Sequence, residues 1–123
     1  MGNVNKVMLL GNLGADPELK KTPNNLRAYC HLRIATSHVS PKDANGERQE
    51  RTEWHRVTVW GENAESCARF LTKGRSVFVE GRLETRTWSD SDGKKHYATD
   101  VVATRVVFLG GGAAQAEKAE KAA

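Results

Sequence analysis

The sequence predicts an all-β fold with one short helix. Three observations support this prediction. Apolar and polar residues alternate in five separate runs, turn-forming residues lie between most of them, and helical spacing is seen in one short segment. The 123 residues are 38% hydrophobic, which is enough for one domain with one core. We therefore expect a single domain over residues 1–110 and a flexible or weakly helical Gly/Ala/Glu/Lys tail over residues 111–123.

The first two strands are expected near the start of the chain. Aliphatic residues over 4–13 predict a long first strand with a bend. After a turn at 23–25, residues 28–37 alternate between apolar and more polar side chains, which places Arg33 on the outer face of a second strand. A polar hairpin excursion over 38–51 then joins the second strand to the third.

The third run, residues 53–60, carries the most informative pattern in the chain. Successive side chains of a strand point to opposite faces. The outer row is Trp54, Arg56, Thr58 and Trp60, and the inner row is His55, Val57 and Val59. If the tryptophans pointed into the core, Arg56 would be buried and the valines exposed, which inverts the usual preferences. The indoles are therefore expected to face solvent.

One helix and two further strands complete the pattern. Residues 62–72 have apolar side chains at helical spacing, which predicts one short helix. A fourth strand is expected over 76–88, with Arg86 and Trp88 on its outer face, and a fifth over 97–109 after a strong turn signal. With the helix between the third and fourth strands, this order is typical of an OB-fold, a five-stranded antiparallel barrel. A five-stranded antiparallel sheet capped by the helix fits the same order.

Indoles beside guanidinium groups on an outer face are typical of a platform for unpaired nucleotides. Aromatic rings stack on bases, and cations contact the phosphates between them. An interface with another protein is the alternative, because exposed Trp and Arg are also enriched there. The net charge of +4 and the pI near 9.3 favour an anionic partner without requiring one. Other cations either line a phosphate track or are ordinary surface charges: Lys6, Arg33, Lys42, Arg48, Arg51, Lys73 and Arg82.

Catalytic and metal-binding patterns are missing from the sequence. Cys30 and Cys67 have no metal-ligand spacing and fit buried thiols in a reducing compartment. A nucleophilic pair of Cys67 with a histidine is the alternative, but Cys67 lies on the apolar stripe of the predicted helix. We expect no enzyme, no metal and no cofactor. Without a leader or membrane span in the sequence, we expect a cytoplasmic protein of a bacterium, or one encoded by a phage or plasmid.

Several motifs in register resemble the bacterial single-stranded-DNA-binding protein family. The motifs occur in the order that the family has, and the resemblance extends over nearly all of residues 4–109. The motifs are VNKVMLLGNLG at 4–14, DPE at 16–18, ATS at 35–37, TEWHRV at 52–57, KG at 73–74, VEG at 79–81 and TRTW at 85–88.

This resemblance implies an OB-fold, a homotetramer, and sequence-tolerant binding of single-stranded DNA in replication, recombination and repair. The predicted stacking residues are Trp54, Trp60 and Trp88. The other predicted DNA-binding residues are Arg56, Arg86, Lys73, Phe70 and Lys6 from the resemblance, and Arg33 from its outward position. The predicted subunit interface consists of His55 from the resemblance and of Asn5 and Val7 on the edge of the first strand.

The chain departs from the family pattern at two places. Ser40 stands where well-studied members carry another tryptophan, so one stacking site is expected to be absent. The chain ends in Glu120-Lys121-Ala122-Ala123 rather than in the acidic, hydrophobic tip with which the family recruits replication and repair proteins, so recruitment through such a tip is not expected.

Two other functions fit the same aromatic face. One is an OB-type replication-restart or protein-interaction module that holds a protein on these rings. The other is an OB-fold that binds structured RNA.

Overall fold

The computed structural model describes residues 2–109, and the tail predicted over residues 111–123 lies outside this range. Within it, five long strands, one two-residue strand and one helix are found. Their order is β1 (Val7–Leu13), β2 (Lys20–Lys21), β3 (Ala28–Val39), β4 (Glu50–Trp60), α1 (Glu62–Phe70), β5 (Ser76–Ser89) and β6 (Lys95–Phe108). The helix follows the third long strand, as predicted.

The sheet closes on itself to form a barrel. Its strands are ordered β1-β5-β6-β4-β3-β2, and β1 also pairs with β3 through Asn12 and Leu13. Closure removes most of the free edges of the sheet. The alternative of an open sheet with a capping helix is therefore excluded, and the predicted five-stranded barrel is confirmed.

One strand pairing differs from the predicted antiparallel arrangement. Strands β4 and β6 are parallel, with Val57 opposite Val101 and Thr58 opposite Val102. The remaining pairings between the described strands are antiparallel. Because α1 and β5 separate β4 from β6 in sequence, no hairpin fixes their relative direction. The alternation of apolar and polar residues within each strand therefore could not predict that β4 and β6 are parallel.

The inner rows of the strands meet in one core, as alternation predicted. Val57 and Val59 are fully buried, and they pack with residues of the other strands and of α1. The largest fully buried side chains are Cys30, Leu32, Ile34, Val57, Val59, Cys67, Val77 and Val79. Because these side chains point into the core, the opposite faces of β3 and β4 point outward.

The helix is shorter than the sequence pattern indicated. It ends at Phe70, and Leu71 already has extended backbone angles. Arg75 is buried and donates a hydrogen bond from Nη1 to the Phe70 carbonyl at 3.2 Å. A cation at this position interacts favourably with the negative end of the helix dipole.

Candidate nucleic-acid interface

The outer face of β3 and β4 forms a surface that we call the platform. Cross-strand neighbours on this face lie directly opposite each other, with an indole in the first and last pair and two cations in one of the pairs between them. The pairs are Tyr29 with Trp60, His31 with Thr58, Arg33 with Arg56, and Ala35 with Trp54. The outer row of the third long strand is therefore continued by a second row that β3 supplies.

Trp54 lies at one end of the platform with 53% of its surface exposed. The Arg33 guanidinium carbon is 5.2 Å from the centre of its ring. The other neighbour is Gly14, where a Cβ would be only 2.3 Å from Cζ3 of the indole. The glycine therefore leaves the space that the indole occupies.

Trp60 lies at the other end and is half-buried by two neighbours. Arg27 places its guanidinium carbon 4.5 Å from the centre of the indole. Tyr29 packs against the indole with ring centres 5.1 Å apart and an angle of 39° between the planes. Trp60 is thus part of a small ring cluster, with an arginine on top.

Arg56 and Thr58, in the middle of the platform, both contact His31. Arg56 donates from Nη2 to His31 Nε2 at 3.1 Å, and His31 Nδ1 is 3.2 Å from the Thr58 hydroxyl. Because a guanidinium only donates, Nε2 carries no hydrogen and Nδ1 carries it. Burial, assisted by the charges of Arg56 and Lys20, lowers the pKa of His31 from its usual 6.5. His31 is therefore neutral at pH 7.

The β5–β6 hairpin carries the third indole. Trp88 is 44% exposed, and the Arg86 guanidinium carbon is 5.2 Å from its ring centre. Arg86 forms an ion pair with Asp100, which is buried. His96, directly opposite on β6, stacks on Trp88 with ring centres 5.5 Å apart and an angle of 20° between the planes.

Asp90 holds the turn of this hairpin together. One carboxylate oxygen accepts the backbone N–H groups of Asp92 and Lys94 at 2.9 and 3.0 Å, and the other lies 2.7 Å from His96 Nε2. The hydrogen bond from His96, followed by that from the Lys94 backbone, lowers the pKa of Asp90 below its usual 3.8. The turn, His96 and Trp88 are thus linked by direct contacts.

The remaining predicted DNA-binding residues lie outside the platform. The Lys73 backbone donates to Asp16 at 2.7 Å, which places Lys73 beside the segment that Trp54 packs against. Phe70 ends α1, with its ring 6.4 Å from that of Phe108. Lys6 is paired with Glu80 at 3.3 Å, on the β1–β5 side of the barrel.

The three predicted interface residues make contacts within the described chain. Asn5 bonds both backbone groups of Leu83, at 3.0 and 2.8 Å. Val7 packs partly buried against the core. His55 Nε2 lies 2.8 Å from the Thr36 hydroxyl.

No cluster of His, Cys, Asp and Glu that could hold a metal is found among residues 2–109. Cys30 and Cys67 are buried free thiols, and the hydrogen bond that the Cys67 thiol donates to Cys30, together with burial, raises the pKa of Cys67. A thiol that is buried and protonated is a poor nucleophile. None of the helices described is long and apolar enough to cross a membrane.

Several residues of the site were not predicted. Tyr29 and His31 alternate with buried residues in step with Arg33 on β3, so alternation predicts that they face outward. His96 lies opposite Trp88 across the turn, so the position of the turn predicts that these two rings are neighbours. Arg27 and Gly14 lie in connections, where no periodicity applies. Only the fold brings these two residues to the rings.

Comparison with known proteins identifies the family of this chain. Residues 4–109 match the model of the Single-strand binding protein family. The chain belongs to this family. The resemblance read from the motifs is thereby confirmed.

Individual relatives agree with this assignment. "Single-stranded DNA-binding protein 1" of Chlorobaculum tepidum is 48% identical over 108 residues, which are 87% of this chain and 65% of that protein. The chain thus spans less than two thirds of the length of this relative.

Two solved structures share the fold. The "Plasmodium falciparum SSB complex with ssDNA" is similar with a TM-score of 0.79 and 29% identity, over 89% of this chain and 98% of that one. A deletion mutant of the single-stranded DNA binding protein from Thermus aquaticus is similar with a TM-score of 0.75 and 36% identity, over 88% of this chain and 51% of that one.

Proposed function

We propose that this protein binds and protects single-stranded DNA without sequence preference, in replication, recombination and repair. One observation carries the proposal: all three tryptophans lie outside the core, and each has an arginine guanidinium within 5.2 Å of its ring centre. Every base has a flat face, so stacking on indoles is tolerant of sequence. Family membership and the likeness to an SSB–ssDNA complex support the same conclusion.

Stacking and charge have separate roles in this proposal. Trp54, Trp60 and Trp88 stack on bases, each contact worth about 1–3 kcal/mol. Arg33, Arg56, Arg86, Lys73 and Lys6 contact the backbone, and Phe70 flanks the path. The phosphate contacts make the affinity depend strongly on salt.

A fluorescence titration with poly(dT) tests the proposal. Stacking on thymine should quench the tryptophan emission strongly, and Trp54→Ala should weaken binding by roughly tenfold or more. Leu19→Ala is the control, because Leu19 is also an exposed apolar side chain and lies outside the platform. Unchanged emission at low salt would contradict DNA binding.

Competition separates this function from its two alternatives. If the rings hold a protein, poly(dT) should not displace that partner, and Trp54→Ala should damage partner binding alone. If the ligand is structured RNA, a folded RNA should bind more tightly than poly(dT). The protein is proposed not to be an enzyme, and nucleotide hydrolysis or strand cleavage lost on a point substitution would contradict this.

The assembly is proposed to be a cytoplasmic homotetramer. Strand β1 is paired with β3 only at Asn12 and Leu13, so most of this edge is open to another chain. On the outer face of β1, Met8 and Leu10 are 61% and 62% exposed. Asn5, Val7 and His55 are the proposed contact residues, and light scattering would give the copy number.

A further inference from the structure

Two arginines lie side by side in the middle of the platform. Arg33 and Arg56 are direct cross-strand neighbours, an arrangement in which like charges are destabilising. Neither forms an ion pair with a carboxylate among residues 2–109, although four other cations do: Lys6, Arg82, Arg86 and Arg105. An anion bound between the two guanidinium groups would remove this repulsion.

His31 completes the group. It lines a single surface depression together with Arg33 and Arg56, and its unprotonated Nε2 accepts a hydrogen bond from Arg56. The other ring nitrogen lies against Thr58, which is buried. The imidazole is thus held at the floor of a depression whose other lining residues are cations.

The charges around His31 come from four other strands. Burial lowers its pKa most, and Arg56 on β4, Lys20 on β2 and Arg86 on β5 lower it further, while Asp100 on β6 acts in the opposite direction. Arg33 on the same strand adds another positive charge to the depression. Asp100 is already paired with Arg86. An anion in the depression would therefore oppose the field that keeps His31 neutral.

We propose that Arg33, Arg56 and His31 form a binding site for one backbone phosphodiester, and that His31 takes up a proton when this site is filled. The inference rests on the proposed function. When the phosphate binds, Arg56 gives up its hydrogen bond to His31 Nε2, and both guanidinium groups donate to phosphate oxygens. A proton from solvent then binds to the free lone pair of Nε2, and this N–H donates to a phosphate oxygen. The site lies between Trp54 and Trp60 on the platform, where the backbone between two stacked bases would pass.

Proton uptake makes the affinity depend on pH in a defined direction. The bound state has the higher His31 pKa, so binding strengthens as pH falls below that pKa and levels off below the pKa of the free protein. Each unit by which binding raises the pKa gives about a tenfold gain in affinity. At a pH well above both values, His31 contributes no pH dependence.

Poly(dT) titrations between pH about 8 and about 5.5 at constant salt test this directly. The wild-type protein should bind more tightly toward low pH. In His31→Asn, whose side chain keeps a polar atom near the position of Nδ1 beside Thr58 but cannot titrate, the profile should be flat. His38→Asn, a change of an exposed histidine at the far end of β3, should keep the wild-type profile.

The phosphate contact is tested by salt dependence. The double variant Arg33→Gln and Arg56→Gln removes both guanidinium groups from the phosphate, and it should reduce the slope of log K against log salt by about 0.7, the value for one phosphate of a single strand. Arg105→Gln, which removes a cation already paired with Glu80, should leave the slope unchanged.

The outcomes separate this inference from the proposed function. No binding of poly(dT) at any pH would overturn both. Binding with the same pH profile in the wild type and in His31→Asn would overturn the proton-coupled site and leave DNA binding intact. Should His31→Asn not fold, NMR titration of the His31 ring in the wild-type protein decides: a pKa that poly(dT) does not raise overturns the inference.

Discussion

At the scale of single residues, the recurring unit is an indole with a guanidinium over it. Arg27, Arg33 and Arg86 each lie over one of the three tryptophans. A cation–π contact at an exposed site is worth about 0.5–1 kcal/mol, whereas a stacked base is worth about 1–3 kcal/mol. A base that replaces the guanidinium therefore still gains free energy, and the released arginine is close to the adjoining phosphate.

Gly14 gives a prediction at this scale. In Gly14→Ala the new methyl group would lie 2.3 Å from Trp54 Cζ3, so the indole must move. We expect altered tryptophan emission and poly(dT) affinity reduced by roughly three- to tenfold, since one stacking contact of about 1–3 kcal/mol is impaired. Gly2→Ala is the control, because a Cβ there meets nothing within 4 Å. Wild-type emission and affinity in Gly14→Ala would contradict the role of this contact.

At the scale of elements, two carboxylates of the β5–β6 hairpin hold the two side chains that contact Trp88. A bulge at Glu80/Gly81 precedes its exposed part, and at Gly81 a Cβ would lie 2.3 Å from the Val102 carbonyl oxygen. Beyond the bulge, Asp100 holds Arg86, while Asp90 holds His96 at the tip. Trp88 contacts both Arg86 and His96.

The buried carboxylate of Asp100 leads to a stability prediction. Asp100→Asn keeps the shape of the side chain but removes the charge that Arg86 contacts. The free energy of unfolding should fall by about 1–2 kcal/mol, because a hydrogen bond to a charged group contributes about 1.5–3 kcal/mol and the solvent exposure of Arg86 weakens it. Urea unfolding measures this. Asp92→Asn, at the exposed hairpin tip, should change stability by less than about 0.5 kcal/mol, and an equal loss in both variants would contradict the assignment.

The turn of the hairpin should respond to acid. Because the pKa of Asp90 is lowered in the folded state, its carboxylate stabilises the turn above its usual value of 3.8, and this contribution is lost as pH falls through the folded-state pKa. The protection of the Asp92 and Lys94 amides against exchange, relative to their intrinsic exchange rates, should therefore fall only in acid. In Asp90→Ala, which removes the acceptor of both backbone N–H groups, we expect fast exchange already at neutral pH.

A second turn provides the control for this experiment. Asp43 caps the turn of the β3–β4 hairpin by accepting the backbone N–H groups of Asn45 and Glu47. Asp43→Ala, which removes the acceptor, should speed exchange there and leave Asp92 and Lys94 protected. Loss of protection at both turns in either variant would indicate general unfolding instead of a local cap.

At the scale of the whole molecule, the barrel separates two surfaces. The platform collects rings and cations on the outer face of β3 and β4. The outer face of β1 instead exposes Met8 and Leu10 beside an open strand edge. Exposed apolar side chains beside an open strand edge support the proposed subunit association at this surface.

Charges placed on this second surface should change the copy number. The double variant Met8→Glu and Leu10→Glu is expected to yield dimers or monomers in light scattering, with the far-ultraviolet spectrum of a folded barrel, because burying two carboxylates without partners is costly. Tyr97→Glu alters a side chain that is 66% exposed and should leave the copy number unchanged. A tetramer in the double variant would place the interface elsewhere.

Local sequence patterns determined much of this protein. Alternation on β4 separated the buried valines from Trp54 and Arg56, because neighbouring side chains of a strand must face opposite sides. The helix and the tight turn at Asp90 were equally local, and each was placed to within a few residues. The motif resemblance supplied the family.

Only the tertiary structure decided which distant residues meet. The parallel pairing of β4 with β6, the closure of β1 on β3, and the contact of Gly14 with Trp54 join segments far apart in sequence. Arg75, which lies beyond α1, likewise contacts the carbonyl of its last residue, Phe70. Periodicity reports the face on which a side chain lies, but the neighbours on that face are set by strand register and barrel closure, which depend on the packing of the whole core.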